Sequence, residues 1–76
     1  MKDININDTF YTLTQGDDAL KEALIEFGFD PMRDPKAYQT MGRIMTLKKA
    51  LNHIGKTESE LKDFLNLKGF EVNIYE

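Results

Sequence analysis

The run 17-DDALKEALIEFGF-29 carries most of what decides the fold. Asp17 stands where a side-chain oxygen accepts hydrogen bonds from the free amides of a first helical turn. Leu20, Ala23, Leu24 and Phe27 then recur at i, i+3, i+4 and i+7, the spacing of one buried helical face. Gly28 follows where a left-handed residue ends a helix, and Phe29 is placed to fold back onto Leu24. The segment reads as a helix with its own start and stop signals. It is apolar on one side only, so it needs other elements to pack against.

Working outward, the same grammar recurs at 57-TESELKDFLNLKGF-70. Thr57-Glu58-Ser59-Glu60 is a capping box, in which hydroxyl and carboxylate satisfy each other's backbone amides. Leu61, Phe64 and Leu65 form the buried stripe, Gly69 is the stop, and Phe70 turns back toward Leu65. Thr46 opens another helix, with Leu47, Ala50, Leu51 and Ile54 on one face and Gly55 at its end. Before it, Asp34-Pro35 is an N-cap and first-turn pair, and Tyr38, Met41 and Met45 keep helical spacing. Gly42 costs such a helix about 1 kcal/mol relative to Ala, so two turns followed by a bend at Gly42-Arg43 are predicted. Upstream, Asp8 is expected to cap a short helix carrying Phe10 and Leu13 that ends before Gly16.

The two ends of the chain change period. Lys2–Ile6 alternates, with Ile4 and Ile6 on one side, and Glu71–Tyr75 does the same with Val72 and Ile74. Both read as half-buried strands, expected to pair and tie down the termini. The fold class is therefore mainly α: a compact orthogonal bundle of four to five short helices with a two-stranded pairing of the terminal strands, in one domain spanning residues 1–76.

Seventy-six residues suit a single small core. A domain of this size buries only about 60% of the surface its unfolded chain exposes, which disfavours a deep active-site cavity. There is no cysteine, so disulfides, thiolate catalysis and Cys-based metal sites are excluded. The net charge is −3 and the basic residues are scattered, with Lys48-Lys49 the only adjacent pair. That argues against nucleic acid, whose binding rests on clustered Lys and Arg. No apolar run approaches the roughly 18–20 residues that span a bilayer, and the first residues lack a signal peptide's hydrophobic segment. A cytoplasmic location is expected.

Candidate chemistry is sparse. His53 is the single histidine, and Lys49 occupies the position four residues back where a second ligand would stand. It reads as a surface histidine favouring the C-terminal end of its helix. Asp8, Asp17, Asp34 and Glu60 lie at helix starts, where capping accounts for them. The glycines form no phosphate-binding loop. Arg43, beside Gly42 and just ahead of the amides that follow Thr46, is a candidate anion site; its alternative is a surface arginine paired with a neighbouring acid. Met32, Met41 and Met45 with Tyr38 read either as core or as a pliable apolar surface for a partner.

The chain from Ile6 to Val72 resembles a small bacterial family known as domain of unknown function 1858. The resemblance rests on Leu24 through Phe29, Pro35, the stretch Thr40-Met41-Gly42-Arg43-Ile44-Met45-Thr46, and Lys68-Gly69-Phe70-Glu71-Val72. Cysteine-bearing relatives place a Cys-x-x-Cys pair just after the first Gly-Phe and are described as redox disulfide domains associated with hybrid-cluster protein. The matching positions here are Pro31 and Asp34, so thiol–disulfide exchange does not carry over. Other relatives lack the pair, and some are fused to haemerythrin-like or sensory domains. The resemblance implies an accessory or regulatory role.

The expected function is thus a non-enzymatic accessory or regulatory domain, without cofactor or metal, that binds a protein partner through Asp30–Thr46. Its candidate surface is Tyr38, Thr40, Met41, Gly42, Arg43 and Thr46. The alternative is a small-anion or metabolite-binding domain associated with a redox or sensory enzyme, with Arg43 and the Thr46 amides holding the ligand. The sequence names no partner and sets no oligomeric state.

Overall fold

A computed structural model describes all 76 residues. Strand β1 (Lys2–Asn5) leads to helices α1 (Phe10–Thr14) and α2 (Asp18–Phe27), a 3-10 turn (Asp30–Arg33), helices α3 (Pro35–Ile44), α4 (Leu47–Ile54) and α5 (Glu58–Leu67), and strand β2 (Val72–Tyr75). The expected pairing of the termini forms, and it is parallel: Lys2 lies opposite Val72, Ile4 opposite Ile74 and Asn5 opposite Tyr75. Parallel neighbours cannot be joined by a tight turn, so the whole helical set serves as the crossover. Two strands alone are marginal in water. Here Ile4, Ile6 and Val72 are buried in the common core, and α5 packs against β2.

Local signals set most helix boundaries. Asp17 caps α2 by accepting from the Leu20 amide at 3.1 Å, and the Thr57–Glu60 capping box is complete. Phe29 and Phe70 donate their amides back to Leu24 and Leu65 (3.3 and 2.9 Å), so the fold-back expected after both glycines forms. Gly55 is left-handed, with φ 71° and ψ 29°. Gly28 is not: its φ is +157°, and a Cβ there would lie 3.0 Å from Ile54 Cδ1. That glycine allows α2 to end against the tip of α4 as well as turning the chain.

Two further expectations are corrected. The cap of α1 is Thr9, whose Oγ1 accepts from the Thr12 amide at 3.1 Å. Asp8 precedes the cap by one residue, and its carbonyl takes the Leu47 amide at 3.0 Å. Helix α3 does not bend at Gly42 but runs unbroken from Pro35 to Ile44. The reason is packing: Gly42 is buried where α3 meets α1 and the 3-10 turn, and a Cβ there would lie 3.4 Å from Met32 Sδ, 3.6 Å from Tyr38 Cδ1 and 4.0 Å from Tyr11 Cβ. Burial on this face outweighs the helix-propensity cost of one glycine.

The core joins both ends of the chain to every helix. Phe10, Leu20, Leu24, Ile25, Leu47, Leu61 and Leu65 are almost fully buried. Phe10 meets Phe29 and Tyr38 edge-on at centroid distances of 5.6 and 6.1 Å, a favoured aromatic geometry.

Candidate functional site

Helix α3 carries two adjacent apolar faces. Tyr38, Gly42 and Met45 turn inward, and the first two are buried. Ala37, Thr40, Met41 and Ile44 stand at i, i+3, i+4 and i+7 on the next face. On that second face Met41 is 46% exposed and Ile44 80% exposed. No charged side chain belongs to it, although 30% of the chain is charged. The exposed residues of α2 include Asp18, Glu22 and Glu26, and those of α5 include Glu58, Lys62 and Asp63.

Beside this face lies an apolar groove of about 70 Å³, formed where the 3-10 turn, α3 and α4 converge. Phe10 and Phe29 reach it from the core, Met32, Met41 and Met45 supply flexible thioethers, and Ile54 and His53 stand on the α4 side. Methionine side chains adapt to irregular partners at low steric cost. His53 is the only ionisable residue lining the groove.

The residues singled out from sequence divide. Met41 lines the groove and is exposed. Tyr38 and Gly42 lie beneath the surface: Tyr38 is only 8% exposed, with its hydroxyl 2.8 Å from Thr14 Oγ1, which also donates to the Phe10 carbonyl at 2.8 Å. Their place as surface contacts is corrected to that of core supports. Thr40 is exposed, but its hydroxyl bonds back to the Lys36 carbonyl at 2.8 Å.

Arg43 does not line the groove. It donates to Gln39 Oε1 at 2.9 Å and to the Tyr11 hydroxyl at 3.2 Å, and its guanidinium lies 4.3 Å from the Tyr11 ring centroid. Such a cation–π contact is worth about 0.5–1 kcal/mol at an exposed position. Thr46 is the cap of α4, accepting from the Lys49 amide at 3.3 Å. The Leu47 and Lys48 amides donate to the carbonyls of Asp8 and Ile6 at 3.0 and 2.9 Å. The first turn of α4 is thus spent on its cap and on the segment that joins β1 to α1, which leaves Arg43 no free amides to act with.

Pro31 and Asp34, the positions that the resemblance aligned with a cysteine pair, flank Met32 at the groove. Pro31 lines the groove, and Asp34 caps α3 through the Lys36 amide at 3.1 Å. A second, polar cleft holds Lys48 and Lys56, but these pair with Glu76 and Glu60 at 3.2 and 3.9 Å.

Ile44 was not singled out from sequence. The signal was present: it lies three residues after Met41, outside the stripe made by Tyr38, Met41 and Met45. An apolar residue off the buried stripe marks a second face. The groove itself had no local signal, because Phe10, Phe29 and Ile54 come from distant parts of the chain.

A family model described as "Domain of unknown function (DUF1858)" matches residues 4–62. The fold is similar to that of a conserved domain protein from Streptococcus pneumoniae TIGR4, with a TM-score of 0.82 and 25% sequence identity. That alignment covers 96% of this chain and 92% of the other. No curated protein matches the chain. No helix is long and apolar enough to cross a membrane.

Proposed function

Because the chain belongs to the family of unknown function DUF1858, we propose its role from its surface: a non-enzymatic accessory or regulatory domain, cytoplasmic, that docks a protein partner through the outer face of α3 and the adjoining groove. One observation carries this reading. Ile44 is 80% exposed on an uncharged helical face, next to a groove built from Met32, Met41 and Met45. Exposed apolar side chains set side by side at an apolar groove, rather than scattered singly, are the kind of surface that docks a partner. Chemistry at the same place has little to work with, since His53 is the groove's only ionisable group and has no nucleophile or carboxylate beside it.

The test is affinity recovery from native lysate with wild type and with a Met41→Glu, Ile44→Glu double variant. Both side chains are exposed, so the variant should keep its helical circular dichroism. A protein recovered with wild type and lost with the variant is the expected outcome. Identical recovery with both would remove this face as the docking site.

A further inference from the structure

The charges of the chain are sorted by element. Residues 35–57, which hold α3 and α4, contain Lys36, Arg43, Lys48, Lys49 and Lys56 and none of the 13 Asp and Glu. The remaining five Lys and Arg therefore stand against all 13 acids, so the net charge of −3 divides into +5 for this segment and −8 elsewhere. Helix electrostatics does not account for the division. The first turn of a helix favours Asp or Glu, and α2 and α5 comply with Asp18, Glu58 and Glu60. The first turns of α3 and α4 hold no acid, and Lys36 and the Lys48-Lys49 pair stand there instead. A local rule broken twice on adjoining elements is the pattern expected at a functional surface.

Part of this charge is met within the chain. Lys48 and Lys56 pair with Glu76 and Glu60. In the turn before α3, Arg33 pairs with Glu22, Asp34 caps the helix and Asp30 lies outside the groove lining. Lys36, Arg43 and Lys49 are exposed and pair with no carboxylate. Wound at about 3.6 residues per turn, α3 sets Lys36 and Arg43 along one edge of its apolar face, beyond Thr40. Met41 and the groove lie along the other edge. Across the groove, Lys49 stands one turn before His53 on the same side of α4. The strip formed by Ile44, Met41 and the groove thus runs between unpaired cations.

We propose that this face takes a short amphipathic helix rich in Asp and Glu, presented by another protein. Its apolar side chains enter the groove, and its acids meet Lys36, Arg43 and Lys49. This rests on the docking reading of the same face and adds the partner's chemistry. An anionic membrane would meet the same charges, but a flat bilayer leaves the concave groove unfilled, and α3 offers it only Met41 and Ile44 as exposed large apolar residues. Leu67 of α5 is 87% exposed but lines neither cleft, and it has Asp63 one turn before it and Lys68 beside it, so charges of both signs flank it.

Amide NMR titration of the full chain with two synthetic peptides of about 16 residues tests the proposal. Both carry Leu at i, i+3, i+4 and i+7; the flanking positions are Glu in one and Lys in the other. The Glu peptide should bind about tenfold tighter or more, by a margin that shrinks as salt is raised. Its shifts should centre on Met41, Ile44, Met45, Lys49 and His53. The double variant Lys36→Glu, Lys49→Glu should reverse the preference without a fall in Tm, because each new acid stands in a first helical turn. Equal binding of the two peptides, or an unchanged preference in the variant, would overturn the proposal. So would cosedimentation with phosphatidylglycerol vesicles in a chain that binds neither peptide, which would assign the charges to a membrane. If neither peptide binds while a recovered partner is still lost on Met41→Glu, Ile44→Glu, docking stands and the acidic partner is overturned. If that variant keeps the recovered partner, the docking reading has failed and takes this proposal with it.

Discussion

Replacing Gly42 with alanine should stabilise the domain, although Gly42 is buried at a three-way contact. In a helix interior the change gains about 1 kcal/mol from propensity. Against this stands the new methyl group, which would lie 3.4 Å from Met32 Sδ, 3.6 Å from Tyr38 Cδ1 and 4.0 Å from Tyr11 Cβ. The two longer distances are ordinary contacts. The shortest faces the flexible end of a methionine, which yields by a small χ adjustment. The net gain is about 0.5–1 kcal/mol, and a domain of this size converts that to a rise of roughly 2–8 °C in Tm. Urea unfolding followed at 222 nm should show a higher midpoint at unchanged slope. Gly42→Val should go the other way by about 1–3 kcal/mol, because its extra methyls overfill the contact. A loss of more than 1 kcal/mol for Gly42→Ala would refute the reasoning: it would mean that α3 bends at Gly42, or that α1 and the 3-10 turn approach more closely than these distances.

Other perturbations probe different parts of the fold. Asp17 caps α2 and pairs with Lys2 at 2.7 Å, tying β1 to that helix. Asp17→Ala should cost about 1 kcal/mol for the cap plus a few tenths for the partly exposed pair, and Asp17→Asn only the latter. The Lys2 ammonium, and then the Leu20 amide, hold the Asp17 carboxyl below its usual value. A depressed folded-state pKa gives stability that is present above the unfolded value near 4 and lost as pH falls through the folded one. The wild-type advantage over Asp17→Asn should therefore hold at pH 5–7 and close below about pH 4, as read by Tm against pH. Thr14 and Tyr38 share a buried hydrogen bond of 2.8 Å. Tyr38→Phe should cost about 1 kcal/mol and Thr14→Val about 1–3, and the double variant should cost less than the sum; strict additivity in denaturant titrations would deny the coupling. Thr57→Ala should cost about 1 kcal/mol by opening the capping box.

What could be read from the chain was what short-range rules govern. Asp17, Thr46 and Thr57 were identifiable as caps and Gly55 as a stop, because each acts within four residues of itself. At Asp8 the expected cap lay one residue early: Thr9 caps α1, and the Asp8 carbonyl accepts the Leu47 amide of α4 instead. Gly42 misled for a related reason, since its burial depends on Tyr11 and Met32, which lie in other elements. The candidate surface was half legible. Met41 and the methionine-rich character of the segment were visible, while Tyr38 was assigned to the surface although Thr14, 24 positions away in sequence, anchors its hydroxyl in the core. Arg43 stands close to the Thr46 amides in sequence, yet its partners are the Tyr11 ring and Gln39.

The central claim is that the uncharged face of α3 meets another protein surface. A photoreactive p-benzoylphenylalanine placed at position 44, compared with the same group at the exposed position 66 on α5, tests it in the cells that make the chain. The account predicts a discrete protein adduct from position 44 and none from position 66. No adduct from position 44, or the same adducts from both positions, would contradict it.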